Sequence, residues 1–221
     1  MLPNRPGQSA WEEVQEEELA PGAVIDLSGK RLGRIAEIRS PLSIEVLNAG
    51  ANLLTSPSDI QLCPRLRVLH LGSNRIDTLF GLESFSMLEY LDVKRNKLRN
   101  LQGIGALPCL RYLDASENQI AESTGLMNCH ALETLLLSKN CIRAPQSLDH
   151  LERLSLLDLR ANHIQSLLGI SNHVSRCVSS LYLDGNQLTD VFQLVYLRSF
   201  PKLAHLSIAD TPLWKKLSQQ G

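Results

Sequence analysis

Aromatic side chains supply only 5% of this 221-residue chain, too few to fill the core of an ordinary domain of that size. No apolar run approaches the roughly eighteen residues of a membrane-spanning helix, so no membrane partner is expected. Cysteine is sparse and odd in number: Cys63, Cys109, Cys129, Cys141 and Cys177 include no C-x-x-C pair. That spacing supports neither a zinc site nor a disulfide framework. Reduced core thiols are the expectation, and no cofactor or metal is expected. An excess of one charge is also lacking, with a net charge of −1. Nucleic-acid binders normally carry a basic stripe; none runs along this sequence, and direct nucleic-acid contact is not expected. The clearest imbalance lies in residues 1–21, where Glu12, Glu13, Glu16, Glu17 and Glu18 face Arg5. The opening Met1-Leu2-Pro3-Asn4-Arg5-Pro6 has no basic segment followed by an apolar stretch, so no secretory signal is expected and the chain is expected in the cytoplasm.

What the chain does have is leucine, 43 residues of 221. These residues repeat in the pattern L-x-x-L-x-L-x-x-N-x-L. Leu66, Leu69, Leu71, Asn74 and Ile76 fit it, as do Leu110, Leu113, Ala115, Asn118 and Ile120. Nine copies start at 22, 44, 66, 88, 110, 132, 154, 178 and 203, so that six successive intervals are 22 residues and the last two are 24 and 25. Self-similarity at such a period marks a solenoid. The x-L-x-L-x stretch alternates with period two and predicts a short strand with leucines turned inward. Asn52, Asn74, Asn96, Asn118, Asn140, Asn162 and Asn186 stand where the chain leaves the strand. An amide there can satisfy backbone groups that would otherwise be buried unpaired. The first and last copies lack it, as terminal repeats often do.

About eleven residues remain to return across the convex face, too few for a full amphipathic helix with two turns. Short 3₁₀ or one-to-two-turn helical pieces are predicted, anchored by residues such as Leu79, Leu82 and Phe85. Within the return, Gly81, Gly103, Gly125 and Gly169 each lie seven residues after the asparagine. That offset suggests a positive φ or tight packing. No G-K-[ST] follows, so these are not phosphate loops.

The unit that begins N-x-I-x-x-L-x-G-L at Asn74 resembles the short intracellular leucine-rich repeats of the phosphatase-1 regulatory subunit class. That class includes a dynein light chain and several centrosomal and ciliary proteins. The C-terminal part, from His173 to Trp214, is similar to a centrosomal leucine-rich-repeat protein that partners a centriole-capping factor. The resemblance covers roughly residues 22–213. It implies an α/β repeat solenoid, a curved leucine-rich-repeat domain with a parallel concave sheet and short 3₁₀ or helical convex segments. It also implies a non-enzymatic scaffold or adaptor in a centrosomal, basal-body or flagellar assembly. A regulatory subunit of phosphatase-1 is the alternative, and an RNA-associated leucine-rich-repeat subunit is a third reading. Relatives in that class continue after N-P-L into a helical cap with a Tyr-Arg pair. Here the chain reads Thr211-Pro212-Leu213-Trp214. Residues 214–221 are therefore expected to be a truncated tail with the cap missing, leaving an uncovered edge open to end-to-end self-association. At the front, Ser9-Ala10-Trp11-Glu12 fits a capping box, and residues 1–21 are expected to cap the first repeat through a helix over 10–19.

The register names the residues of the concave face. Third, fifth and seventh template positions point to solvent there. Large apolar groups have no structural duty on an exposed face, yet Val68, Tyr90, Tyr112, Leu136, Leu156 and Tyr182 lie across adjacent strands. With His70 beside them and a rim of Asp92, Asp114, Asp158, Lys94 and Arg160, they have the composition of a protein interface. His70, Asp92 and Asp114 could also suggest acid–base chemistry, but an open sheet supplies no water-excluding pocket. An enzyme is not expected.

Overall fold

The structure, a computed structural model, describes residues 22–35, 41–60 and 63–219. The capping segment expected over 1–21 lies outside these residues. Nine strands form one sheet in chain order: β1 (Ala23–Asp26), β2 (Ile44–Asn48), β3 (Val68–His70), β4 (Tyr90–Asp92), β5 (Tyr112–Asp114), β6 (Thr134–Leu136), β7 (Leu156–Asp158), β8 (Ser180–Tyr182) and β9 (His205–Ser207). Every neighbouring pair is parallel, and from β2 onward one repeat pairs with the next at equal template positions, as in Val68 with Tyr90 and Tyr90 with Tyr112, while β1 pairs with β2 through one register shift at Ala23. The nine predicted starts thus each lead into a strand.

The inward leucines form one continuous core. Leu47, Leu69, Leu91, Leu113, Leu135, Leu157 and Leu181, all at the fourth position, are fully buried. Some convex returns are short 3₁₀ turns, such as Leu82–Ser84 and Ile104–Ala106, while those between β5 and β7 hold no helical element among the described residues; the anchors Leu79, Leu82 and Phe85 are buried as predicted. Where the interval lengthens, so does the return: helix α1 (Leu167–His173) and a nine-residue 3₁₀ run (Val191–Ser199) occupy the two longer repeats.

Each asparagine binds two coils together. Asn74 Nδ2 donates to the carbonyls of Leu71 and, in the preceding repeat, Ala49, both at 3.0 Å, while its Oδ1 accepts the Leu54 N–H at 3.0 Å. The same pattern recurs from Asn52 to Asn186. Just before each asparagine site the backbone is left-handed, with positive φ at Gly29, Ala51, Ser73, Arg95, Glu117, Lys139, Ala161, Gly185 and Asp210. Only two of these nine are glycine. A left-handed residue with a Cβ is strained by roughly 1–2 kcal/mol, partly offset because glycine has more unfolded-state entropy to lose. Ala161→Gly is therefore expected to raise stability by about 0.5 kcal/mol and Ala161→Val to lower it by about 1–2 kcal/mol. Equilibrium urea unfolding of both variants checks the sign.

Two expectations are corrected. The thiols are not uniformly in the core: Cys63 and Cys129 are buried, Cys109 and Cys141 are exposed, and Cys177 is half-buried. Cys63 and Cys129 share a template column, three residues before the repeat start, with the core residue Phe85. Burial pushes their pKa values up to about 11 and about 12. Cys141 instead occupies the tenth position, on the solvent flank.

The end is not a bare tail either. Helix α2 (Pro212–Ser218) follows β9. Thr211 Oγ1 accepts the Trp214 N–H at 3.0 Å and Pro212 starts the helix, the N-terminal chemistry a helix favours. Leu213 is buried, and Leu217, one turn later, packs on the core. The cover is partial, because Leu206 of β9 is 37% exposed where its equivalents in β2 to β8 are fully buried.

Candidate protein-binding surface

Parallel register places equal template positions on neighbouring strands about 5 Å apart, close enough for planar rings to stack. Tyr90 and Tyr112 do so, with ring centroids 4.4 Å apart and planes 4° from parallel. The His70 ring tilts against Tyr90 at 5.0 Å. Val68, Leu136, Leu156 and Tyr182 are half-buried on the same face, so the predicted apolar residues form a stripe from β3 to β8. Thr134 interrupts the third-position column, and Leu136 carries the stripe across β6 from the fifth position. Burial pushes the Tyr112 hydroxyl well above the usual tyrosine range, with the neighbouring Tyr90 adding to the effect. Tyr90 is raised by burial and then by Asp92. Both therefore stay protonated at neutral pH and present uncharged, hydrogen-bonding rims.

The three acids of the predicted charged rim are less exposed than the register implies. Asp92, Asp114 and Asp158 are 7%, 9% and 2% exposed. Their Oδ1 atoms accept the N–H groups of Lys94, Ser116 and Arg160 at 2.9, 2.9 and 3.0 Å. A short acceptor two residues before a corner closes the turn in place of a backbone carbonyl, and Asn48 does the same for Gly50. Asp and Asn recur in this fifth column at Asp26, Asn48, Asp92, Asp114 and Asp158. That recurrence is the sequence signal for a structural role.

The cations beside these acids do reach solvent. Lys94 Nζ lies 3.7 Å from Asp92 Oδ2. Arg160 grips Asp158 through Nε at 3.0 Å and Nη2 at 2.6 Å, and its guanidinium also lies 5.5 Å from the Tyr182 ring centre, within cation–π range. The Asp158 hydrogen bond holds Arg160 above the usual guanidinium range. His70 Nδ1 stands 3.9 Å from Asp92 Oδ2, too far for a hydrogen bond. Among the described residues, no group of three or more His, Cys, Asp or Glu could hold a metal ion, and no helix is long and apolar enough to cross a membrane.

Comparison with known proteins agrees with this geometry. A family model described as leucine rich repeat matches residues 64–120. A crystal structure of an internalin C2 from Listeria monocytogenes is similar, with a TM-score of 0.65 at 17% identity over 83% of this chain and 80% of that one. No curated protein matches the sequence. With nine parallel strands in register, the fold is a leucine-rich-repeat solenoid.

Proposed function

We propose that the chain is a non-enzymatic scaffold or adaptor that holds a partner protein against its concave face. The observation that carries this reading is the half-buried Tyr90–Tyr112 stack, continued by Val68, His70, Leu136 and Leu156 on a face where packing requires no large apolar group. Aromatic anchors with exposed cations beside them are what interfaces select. The 22-residue unit supports an intracellular setting, centrosomal, basal-body or flagellar. The same unit supports a second reading, a regulatory subunit that engages the phosphatase-1 catalytic subunit, and a pull-down with that subunit separates the two.

Tyr90→Ala and Tyr112→Ala test the concave-face reading. Each should weaken partner binding by about 2 kcal/mol, as an interface anchor does. Each should cost the fold only about 0.5–1.5 kcal/mol, the value of an aromatic pair. Affinity capture on the wild-type chain and the double variant, read by mass spectrometry beside thermal melts, compares the two effects. An unchanged set of captured proteins with a large fall in melting temperature would make the tyrosines structural.

A further inference from the structure

On the concave face the cations of the charged rim reach solvent further than its acids. In the Lys94–Asp92 and Arg160–Asp158 pairs the acid is covered: the side chains of Asp92 and Asp158 are 10% and 3% exposed, against 45% and 52% for Lys94 and Arg160; at the exit edge Glu117, paired with Arg95 and Lys139, keeps 33%. Gly72 on the neighbouring coil has no side chain to block Lys94; a Cβ there would stand 3.3 Å from Lys94 Cγ. The flank that the chain enters after each strand adds to this. Arg75, Lys97 and Arg99 are exposed there, and none makes an ion pair among the described residues. The N–H groups of Arg75 and Lys97 donate to the Leu54 and Ile76 carbonyls at 2.9 and 2.8 Å. These bonds hold the two side chains in register on the coils that carry β3 and β4. Lys97 and Arg99 belong to the same repeat as Tyr90, and Arg75 to the one before it. The cations are dispersed in the sequence, and coiling at a 22-residue period gathers them on one edge.

Resting on the concave-face reading, we propose that the partner is a protein segment in which acidic side chains flank an apolar anchor. The anchor lies on the Tyr90–Tyr112 stack, and the carboxylates meet Lys94 and the Lys97–Arg99 flank. Charge complementarity of this kind sets orientation and rejects basic competitors. A protein segment is favoured over nucleic acid because the whole chain carries a net charge of −1, and a polyanion needs a field that extends beyond one edge.

The test is selection of randomised dodecapeptides displayed on phage against the full chain, followed by affinity measurements on synthetic copies. Binding peptides should be enriched in Asp and Glu within a few residues of an apolar side chain. Lys97→Glu with Arg99→Glu, two exposed positions whose reversal should leave the melting temperature unchanged, should weaken them about tenfold and flatten their salt dependence. Lys94→Gln should weaken them further. Peptides without acidic enrichment, or with unchanged affinity for the double reversal, overturn the proposal. If such peptides still lose affinity with Tyr90→Ala, the partner chemistry is wrong and the concave-face reading stands; if acid-rich peptides survive that change, the concave-face reading itself fails. A selection that yields no binder overturns the proposal, as does a single-stranded dodecanucleotide RNA that binds more tightly than every peptide.

Discussion

Asn118→Ala is expected to lower the unfolding free energy by about 2–4 kcal/mol, far more than its size suggests. The side chain is buried at the junction of two repeats. Its Nδ2 donates to the Ala115 and Val93 carbonyls at 3.1 Å, and its Oδ1 accepts the Leu98 N–H at 3.0 Å. The carbonyls retain a partner after the substitution, because Asn96 also donates to Val93 and Asn140 to Ala115. The Leu98 N–H does not, and an orphaned buried donor costs about 1–3 kcal/mol beyond the lost bonds. Gln119→Ala, one residue on and exposed, is the control and should change stability by less than about 0.5 kcal/mol. Urea unfolding gives the magnitude, and hydrogen exchange at the Leu98 amide tests the cause. A loss of stability with undiminished protection at Leu98 would refute the orphaned-donor account.

Asn118→Asp adds a pH test. An aspartate keeps the acceptor but places a carboxylate against carbonyl oxygens in a buried site, so its pKa in the folded chain is raised above the unfolded value near about 3.9. The unfolded chain then loses the proton first and binds fewer protons than the native one. Stability falls as pH rises through that window. The variant should be closest to wild type below the unfolded pKa and weakest at neutral pH.

These side chains show what a single sequence reveals about this fold and what it conceals. Periodicity assigns each residue a column, and a column has one backbone environment, so the strands, the asparagine bonds and the sealed leucines follow from the repeat. A column does not tell how a side chain folds over its own backbone. Asp92, Asp114 and Asp158 belong to the concave face by register, yet each turns back to cap the corner two residues later. The charge offered to a partner is therefore that of Lys94 and Arg160. The left-handed corner is equally hidden, because residues as different as Arg95, Glu117 and Ala161 occupy it and glycine stands there only twice. At the C-terminus, Thr211, Pro212 and the Leu213–Leu217 pair are local signal enough for a helix without a Tyr-Arg pair.

The glycine column separates the same two kinds of information, and its substitutions should have opposite signs. Gly125 has φ +111°, and a Cβ built on it would overlap the Leu101 carbonyl and approach Gln102 N to 2.8 Å. Both are backbone atoms of the preceding repeat and cannot rotate away. Gly125→Ala is expected to cost about 3 kcal/mol, from left-handed strain plus the wedge between coils. Gly169 shares the template offset but lies inside α1, where an added Cβ meets only the Ala144 Cβ at 3.4 Å. Gly169→Ala should therefore stabilise by about 0.5–1 kcal/mol through helix propensity. Denaturant unfolding of both variants decides, and equal signs would show that the close approach at Gly125 is not what fixes glycine there. The wedge has a further consequence for binding. Gly125 and Leu101 lie on the convex side of the two repeats whose strands carry Tyr112 and Tyr90. Forcing those coils apart should disturb the ring stack on the opposite face, so Gly125→Ala should alter the near-ultraviolet tyrosine dichroism and weaken the partner, while Gly169→Ala leaves both unchanged.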